Sequence, residues 1–234
     1  MIPADAVALL TDAEIEIEGR MPWSSNATFR VSLLIDGNEQ GKAIYKPLRG
    51  ERPLWDFEPG LHRREVAAYR LAEAMGLHLV PPTVLRDGPL GEGSLQWYVD
   101  ADHEQHYFTI YESRADLHDR LRDFAVFDVV ANNTDRKSGH VLIEPDDSLW
   151  GIDHGLCFAE DFKLRTVVWE FGGEPIAPRL LTVLEQLAAG LPPEVAELLS
   201  AAEAEATSER AAELAHAGRL PTDPSGRRYP WPLV

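Results

Sequence analysis

The segment from Phe127 to Phe158, FDVVANNTDRKSGHVLIEPDDSLWGIDHGLCF, constrains this chain more than any other. It reads as a helix end, a polar loop, a short strand, a turn, a second short strand, and then an acidic residue followed by His and Gly. Two strands joined by so short a turn form a hairpin, and a hairpin brings its ends together. Asp135 and Asp153 lie at those ends. The pattern therefore predicts both carboxylates, with His140, around one point. Phosphoryl transfer needs such a pair: one carboxylate to orient the attacking group, another to hold the metal that bridges the phosphates.

The residues before this unit predict an antiparallel sheet. Glu14–Gly19 alternates charged and apolar residues, which suits a half-buried strand. Thr28–Asp36 and Lys42–Lys46 predict two further strands, with Gly37-Asn38 as a turn and Pro47 as a stop. Leu61–Met75 has helical periodicity and ends before Gly76. Thr83–Arg86 and Ser94–Val99 complete a five-stranded sheet. The rest reads as mostly helical, with helices over Arg114–Ala131, Pro178–Ala189 and Glu194–Ala217 and an irregular Pro-rich tail from Pro221. The expected class is α+β: a sheet-and-helix lobe over residues 1–100 and a mainly helical lobe, carrying the hairpin, over 101–234.

At 234 residues, one large domain or two small lobes can each bury a real core. The net charge of −17 argues against non-specific nucleic-acid binding and against docking on an anionic membrane. It leaves room for a nucleotide, whose phosphates need only a few local cations. The single cysteine, Cys157, excludes an internal disulfide and a multi-cysteine zinc site. The first residues show neither a basic region nor a long apolar run, and no window has the length of a membrane span, so the expected location is the cytoplasm.

Several residues are candidates for chemistry, each with an ordinary alternative. Lys46 ends the strand KAIYK. It is either a solvated strand-terminal lysine or a phosphate ligand, with Glu65 or Glu51 as its ion-pair partner. The loop WSSNATF, with Ser24, Ser25 and Asn26, offers small donors that can fold over phosphates, or is an ordinary polar turn. Gln96–Val99 is either a core strand or a strand edge presenting backbone groups to adenine. Asp135 and Asp153 can be simple turn residues, and His140 an exposed loop residue. Their order along the chain is what argues otherwise: polar loop, strand lysine, helix glutamate, hinge, acidic loop, hairpin, Asp-x-Gly. That is the part list of a two-lobed kinase.

From Trp23 to Phe158 the chain resembles the phosphatidylinositol 3-/4-kinase-like superfamily, most closely the type II phosphatidylinositol 4-kinases, and a mostly actinobacterial kinase-like group. The resemblance rests on SSNATF, IYKPLRGERP, REVAAYRLAEAMGLHLVPPT, GSLQWYV, NNTDRKSGH and IDHGLCF, the last two being the specific ones. It implies a kinase-like fold using ATP and magnesium or manganese. Lys46 would contact the nucleotide phosphates, Val99 would present backbone groups to adenine, Asp135 would be the catalytic Asp, Asp153 would hold the metal, and Arg136 would support the loop. His140 stands where the family pattern expects Asn, a second metal ligand. Magnesium prefers oxygen ligands and imidazole suits softer ions. His140 is thus a ligand of such an ion, a hydrogen-bond partner of Asp135 or of a phosphate, or the mark of an inactive homologue. The lipid kinases' palmitoylated cysteine-rich patch is absent, so the inositol lipid is not carried over, and a protein side chain or a soluble small molecule is the expected acceptor. Alternatives are a nucleotide-binding pseudokinase, nucleotidyl transfer, and a metal hydrolase built on His140, Asp153 and His154.

Overall fold

The computed structural model describes residues 2–22, 26–102 and 104–233. Its sheet contains β1 (Glu14–Arg20), β2 (Phe29–Ile35), β3 (Asn38–Pro47), β4 (Thr83–Gly88) and β5 (Gly91–Trp97), in the spatial order β1-β2-β3-β5-β4 and antiparallel throughout. Alternation decides which way each strand faces. Val31 and Leu33 on β2, Ala43 and Tyr45 on β3 and Leu95 on β5 are fully buried in one cluster. Lys46, next to Tyr45, therefore projects from the opposite face of β3.

A helix not expected from the sequence, α1 (Ala6–Asp12), closes the apolar side of the sheet with Leu10. It is too short to announce itself by periodicity. Its end is fixed from outside, by the Arg86 guanidinium donating to the Leu10 and Ala13 carbonyls. α2 (Leu61–Ala74) carries a face of small residues, with Ala67, Ala68, Leu71 and Ala72 fully buried. It ends at Gly76, whose positive φ only glycine adopts freely. This face packs into the larger core cluster, which holds most of the buried apolar residues after Tyr107.

The remaining helices are α3 (Tyr107–Ser113), α4 (His118–Val130), α5 (Pro178–Ala188), α6 (Pro193–Ala196) and α7 (Ala201–Ala217). Two expectations need correction. α3 was not expected; its aromatic-rich sequence has weak intrinsic helix propensity, and tertiary contacts fix it, the Tyr107 hydroxyl donating to Glu170. The single helix expected over Glu194–Ala217 is broken at Ser200. Ser200 Oγ accepts from the Glu203 N–H, and the Glu203 carboxylate accepts from the Ser200 N–H. That reciprocal box starts a new helix, and the signature S-A-A-E marks it in the sequence. β6 (Val141–Ile143) and β7 (Leu149–Gly151) form the expected hairpin, Val141 opposite Gly151. No helix among the described residues is long and apolar enough to cross a membrane.

Candidate active site

The loop Asn132–His140 is built on a buried ion pair. Asp128 lies on the inner face of α4, and Arg136 folds back onto it at 3.0 Å, both side chains fully buried. Asp128 also accepts from Asn133 Nδ2 at 3.0 Å and from Thr166 Oγ1 at 2.9 Å. The Arg136 guanidinium donates to the carbonyls of His140 and Ile152, so one cation ties both ends of the hairpin to α4. It also lies 2.6 Å from His154 Nε2. A guanidinium only donates, so that nitrogen accepts and His154 is neutral. Burial, reinforced by Arg136, holds its pKa well below the ordinary histidine value. His154 is thus enclosed, its ring edge-on to Phe127, and it is not part of the open site. This removes it from the hydrolase constellation considered on sequence grounds.

On the other side of the loop, Asp135 points into a cavity. Its backbone N–H donates to Asn133 Oδ1 at 3.0 Å, which fixes the turn. Its carboxylate is 3.1 Å from Lys137 Nζ. Burial raises the Asp135 pKa against the opposing pull of Lys137. At the far end of the hairpin, Ile152 N–H donates to the His140 carbonyl. Asp153 follows with φ 62°, a left-handed conformation that Asp tolerates better than bulkier residues.

Glu65 of α2 links this turn to the sheet. Its carboxylate accepts from the N–H groups of His154 and Gly155, at 3.0 and 3.1 Å, and pairs with Lys46. Lys46 Nζ also lies 2.8 Å from Asp153 Oδ1. Glu51, the other partner considered for Lys46, is instead engaged by His62 Nδ1 and by the N–H groups of Gly60 and His62. Burial works against the Lys46 ammonium, but Asp153 and Glu65 outweigh it and hold its pKa above the ordinary lysine value. Lys46 in turn holds Asp153 well below the usual carboxylate range.

His140 has a defined tautomer. Its Nδ1 is 2.8 Å from the Asp135 carbonyl oxygen, which can only accept, so Nδ1 carries the hydrogen. Burial pushes the ring pKa down to about 4. At neutral pH, Nε2 therefore presents a lone pair, 3.5 Å from Asp153 Oδ2. Two acceptors face each other there, an arrangement that a cation between them relieves. Asp135, His140 and Asp153 each offer one ligand atom, all within 4.8 Å of one another. The donor set, two carboxylates and one neutral imidazole oriented by a backbone carbonyl, fits a divalent metal.

These groups line a cavity of about 470 Å³. Of the residues singled out in the sequence, Asn26, Lys46, Glu51, Glu65, Asp135, His140 and Asp153 share its wall. Ser24 and Ser25 lie outside the described residues. Gln96 and Val99 are buried and do not line the cavity, and the Gln96 amide donates to Thr83 Oγ1 across β4 and β5. Sequence reasoning missed Asp128, Lys137 and Arg52. Asp128 could have been suspected, because a lone Asp in the apolar run FDVV must find a buried partner. Lys137 and Arg52 carry no local signal.

No protein-family model matches the chain. A solved structure of hydra Fam20 with sugar superposes with a TM-score of 0.55 at 14% identity, covering 91% of this chain and 86% of that one. Such a likeness shows that the two chains share a fold. The Helicobacter pylori proinflammatory kinase CtkA gives a TM-score of 0.48 at 13% identity, over 89% of this chain and 94% of that one. Protein Rv2133c of Mycobacterium tuberculosis is 38% identical over 265 residues, covering 97% of this chain and 95% of the relative. With that identity maintained over nearly the whole of both chains, this protein belongs to the family of Mycobacterium tuberculosis Rv2133c.

Proposed function

We propose that this chain is an ATP- and metal-dependent phosphotransferase, distantly akin to the phosphatidylinositol 3-/4-kinases, that acts on a protein side chain or a soluble small molecule. One observation carries the reading. The Lys46–Glu65 pair and the Asp135, His140 and Asp153 cluster come from distant parts of the chain and meet on one cavity. Its volume is within the range of small-molecule sites.

Lys46 binds nucleotide phosphates, and Glu65 holds both Lys46 and the backbone of the turn after Asp153. Ser24, Ser25 and Asn26 cover the phosphates, and the chain at Gln96–Val99 offers backbone groups to adenine. The boundary near residue 100 separates the phosphate-binding sheet from the loops that carry Asp135 and Asp153. Asp153 and His140 hold magnesium or manganese. That ion, when bound, neutralises charge on the phosphates. Asp135 accepts or orients the acceptor's proton, and its burial moves it toward the proton affinity a general base needs.

Incubation with γ- or α-labelled ATP and either metal tests the reading. Label transferred from the γ position, and lost in Asp135→Asn while nucleotide still binds, is the expected result. Label from the α position would establish nucleotidyl transfer instead. Binding without any transfer would make the chain a regulatory pseudokinase.

A further inference from the structure

We infer that Arg52 is a ligand of the nucleotide's terminal phosphates, an inference that rests on the nucleotide reading above. Arg52 lines the same cavity as Lys46 and Asp153. The other cations on that wall are already matched. Lys46 lies between Glu65 and Asp153, and Lys137 faces Asp135. The Arg52 guanidinium makes no hydrogen bond or ion pair among the described residues.

Its backbone, by contrast, is fixed from both sides. The Arg52 N–H donates to Asn26 Oδ1 at 3.0 Å, and the Ala27 N–H donates to the Gly50 carbonyl at 3.0 Å. A Cβ on Gly50 would meet the Ala27 Cβ at 2.7 Å, so glycine there is what lets the two segments touch. The neighbouring Glu51 carboxylate is committed to the start of α2. The result is an anchored backbone with a guanidinium at the cavity that has no partner among the described residues, joined to the loop expected to cover phosphates.

Charge points the same way. Lys46, Arg52 and Lys137 face Glu51, Glu65, Asp135 and Asp153 around the cavity, so carboxylates outnumber these cations. A triphosphate entering that field needs a cation not already neutralised. A guanidinium presents parallel N–H groups that match two phosphate oxygens, which a lysine cannot reproduce.

Calorimetric titration of wild type, Arg52→Gln and Arg52→Lys with ATP, ADP and AMP, each at a fixed divalent-metal concentration, tests this. Arg52→Gln is expected to weaken ATP by roughly tenfold or more, with AMP affinity unchanged. Arg52→Lys should fall between wild type and Arg52→Gln, and the melting temperature of the free protein should be unaltered. Equal ATP affinity in wild type and Arg52→Gln would overturn the inference, as would equal losses for ATP and AMP. If wild type binds no nucleotide, the phosphotransferase reading fails and takes this inference with it. Wild type that binds while Arg52 is indifferent removes the inference alone.

Discussion

The loop Asn132–His140 has an ionic cluster on each side, and the two are built in opposite ways. Asp128, Arg136, His154 and Thr166 form a hub without solvent access, where the Asp128 carboxylate and the Arg136 guanidinium are saturated by partners within the fold. Lys46, Glu65, Asp135, His140 and Asp153 form a cluster that opens on a cavity; there Asp153 is 52% exposed and His140 turns a lone pair toward it. The first cluster uses charge to fix backbone. The second leaves electrostatic capacity unused, which is what a ligand site requires. Substitutions in the two should therefore fail differently, the first in folding and the second in binding.

The largest stability loss is expected at the hub. Asp128→Ala strands the Arg136 charge in the interior, which typically costs about 3–5 kcal/mol. Denaturant unfolding checks this, and a change indistinguishable from zero would show that the hub does not anchor the loop. Glu65→Gln stands between the clusters. Glu65 takes the N–H groups of His154 and Gly155 on separate oxygens, so the single amide oxygen keeps only one of them, and the charge beside Lys46 is gone. The expected loss is about 1–3 kcal/mol, together with weaker nucleotide binding. Loss of stability with binding intact would place Glu65 with the hub.

A smaller effect concerns pH. His62 is buried between Glu51 and Glu92. Burial opposes its charge, the two carboxylates outweigh that, and its pKa lies above the ordinary value of 6.5. Its contribution is full below 6.5 and is lost as pH rises through the raised folded value. Glu51, held down to about 2 because its hydrogen bonds outweigh burial, contributes above its ordinary 4.5 and loses that toward pH 2. The pair is therefore strongest between 4.5 and 6.5. The melting temperature of wild type should fall more steeply than that of His62→Gln between pH 6.5 and a mildly alkaline value; parallel curves would mean that His62 is uncharged.

What the sequence disclosed follows the range of the interactions involved. The five strands were legible because alternation is local, and so was the hairpin, whose ends Val141 and Gly151 are close in sequence. The break at Ser200 was legible too, had the capping box been given its weight over the Ala- and Glu-rich run. The hub was legible only in part: a lone Asp128 in the apolar run FDVV calls for a buried partner, but its bond with Thr166 across 38 residues has no local pattern. The same holds for the separation of His154 from its neighbour Asp153. A left-handed residue at Asp153 turns two adjacent side chains into different clusters, and periodicity does not encode that. Arg52 was invisible for another reason: that its guanidinium has no partner among the described residues is a property of the folded chain alone.

The most direct test of the division between the clusters is thermal denaturation of wild type and Asp153→Asn, each with and without ATP and a divalent metal. Asn tolerates the left-handed conformation at 153, and the side chain it replaces is half-exposed, so the free variant should lie within about 1 kcal/mol of wild type. Ligand at about a hundredfold excess over Kd should stabilise wild type by roughly 2.7 kcal/mol and leave Asp153→Asn nearly unchanged. An equal rise in both proteins, or no rise in wild type at millimolar nucleotide with either metal, would contradict the assignment of this cavity to a metal–nucleotide complex.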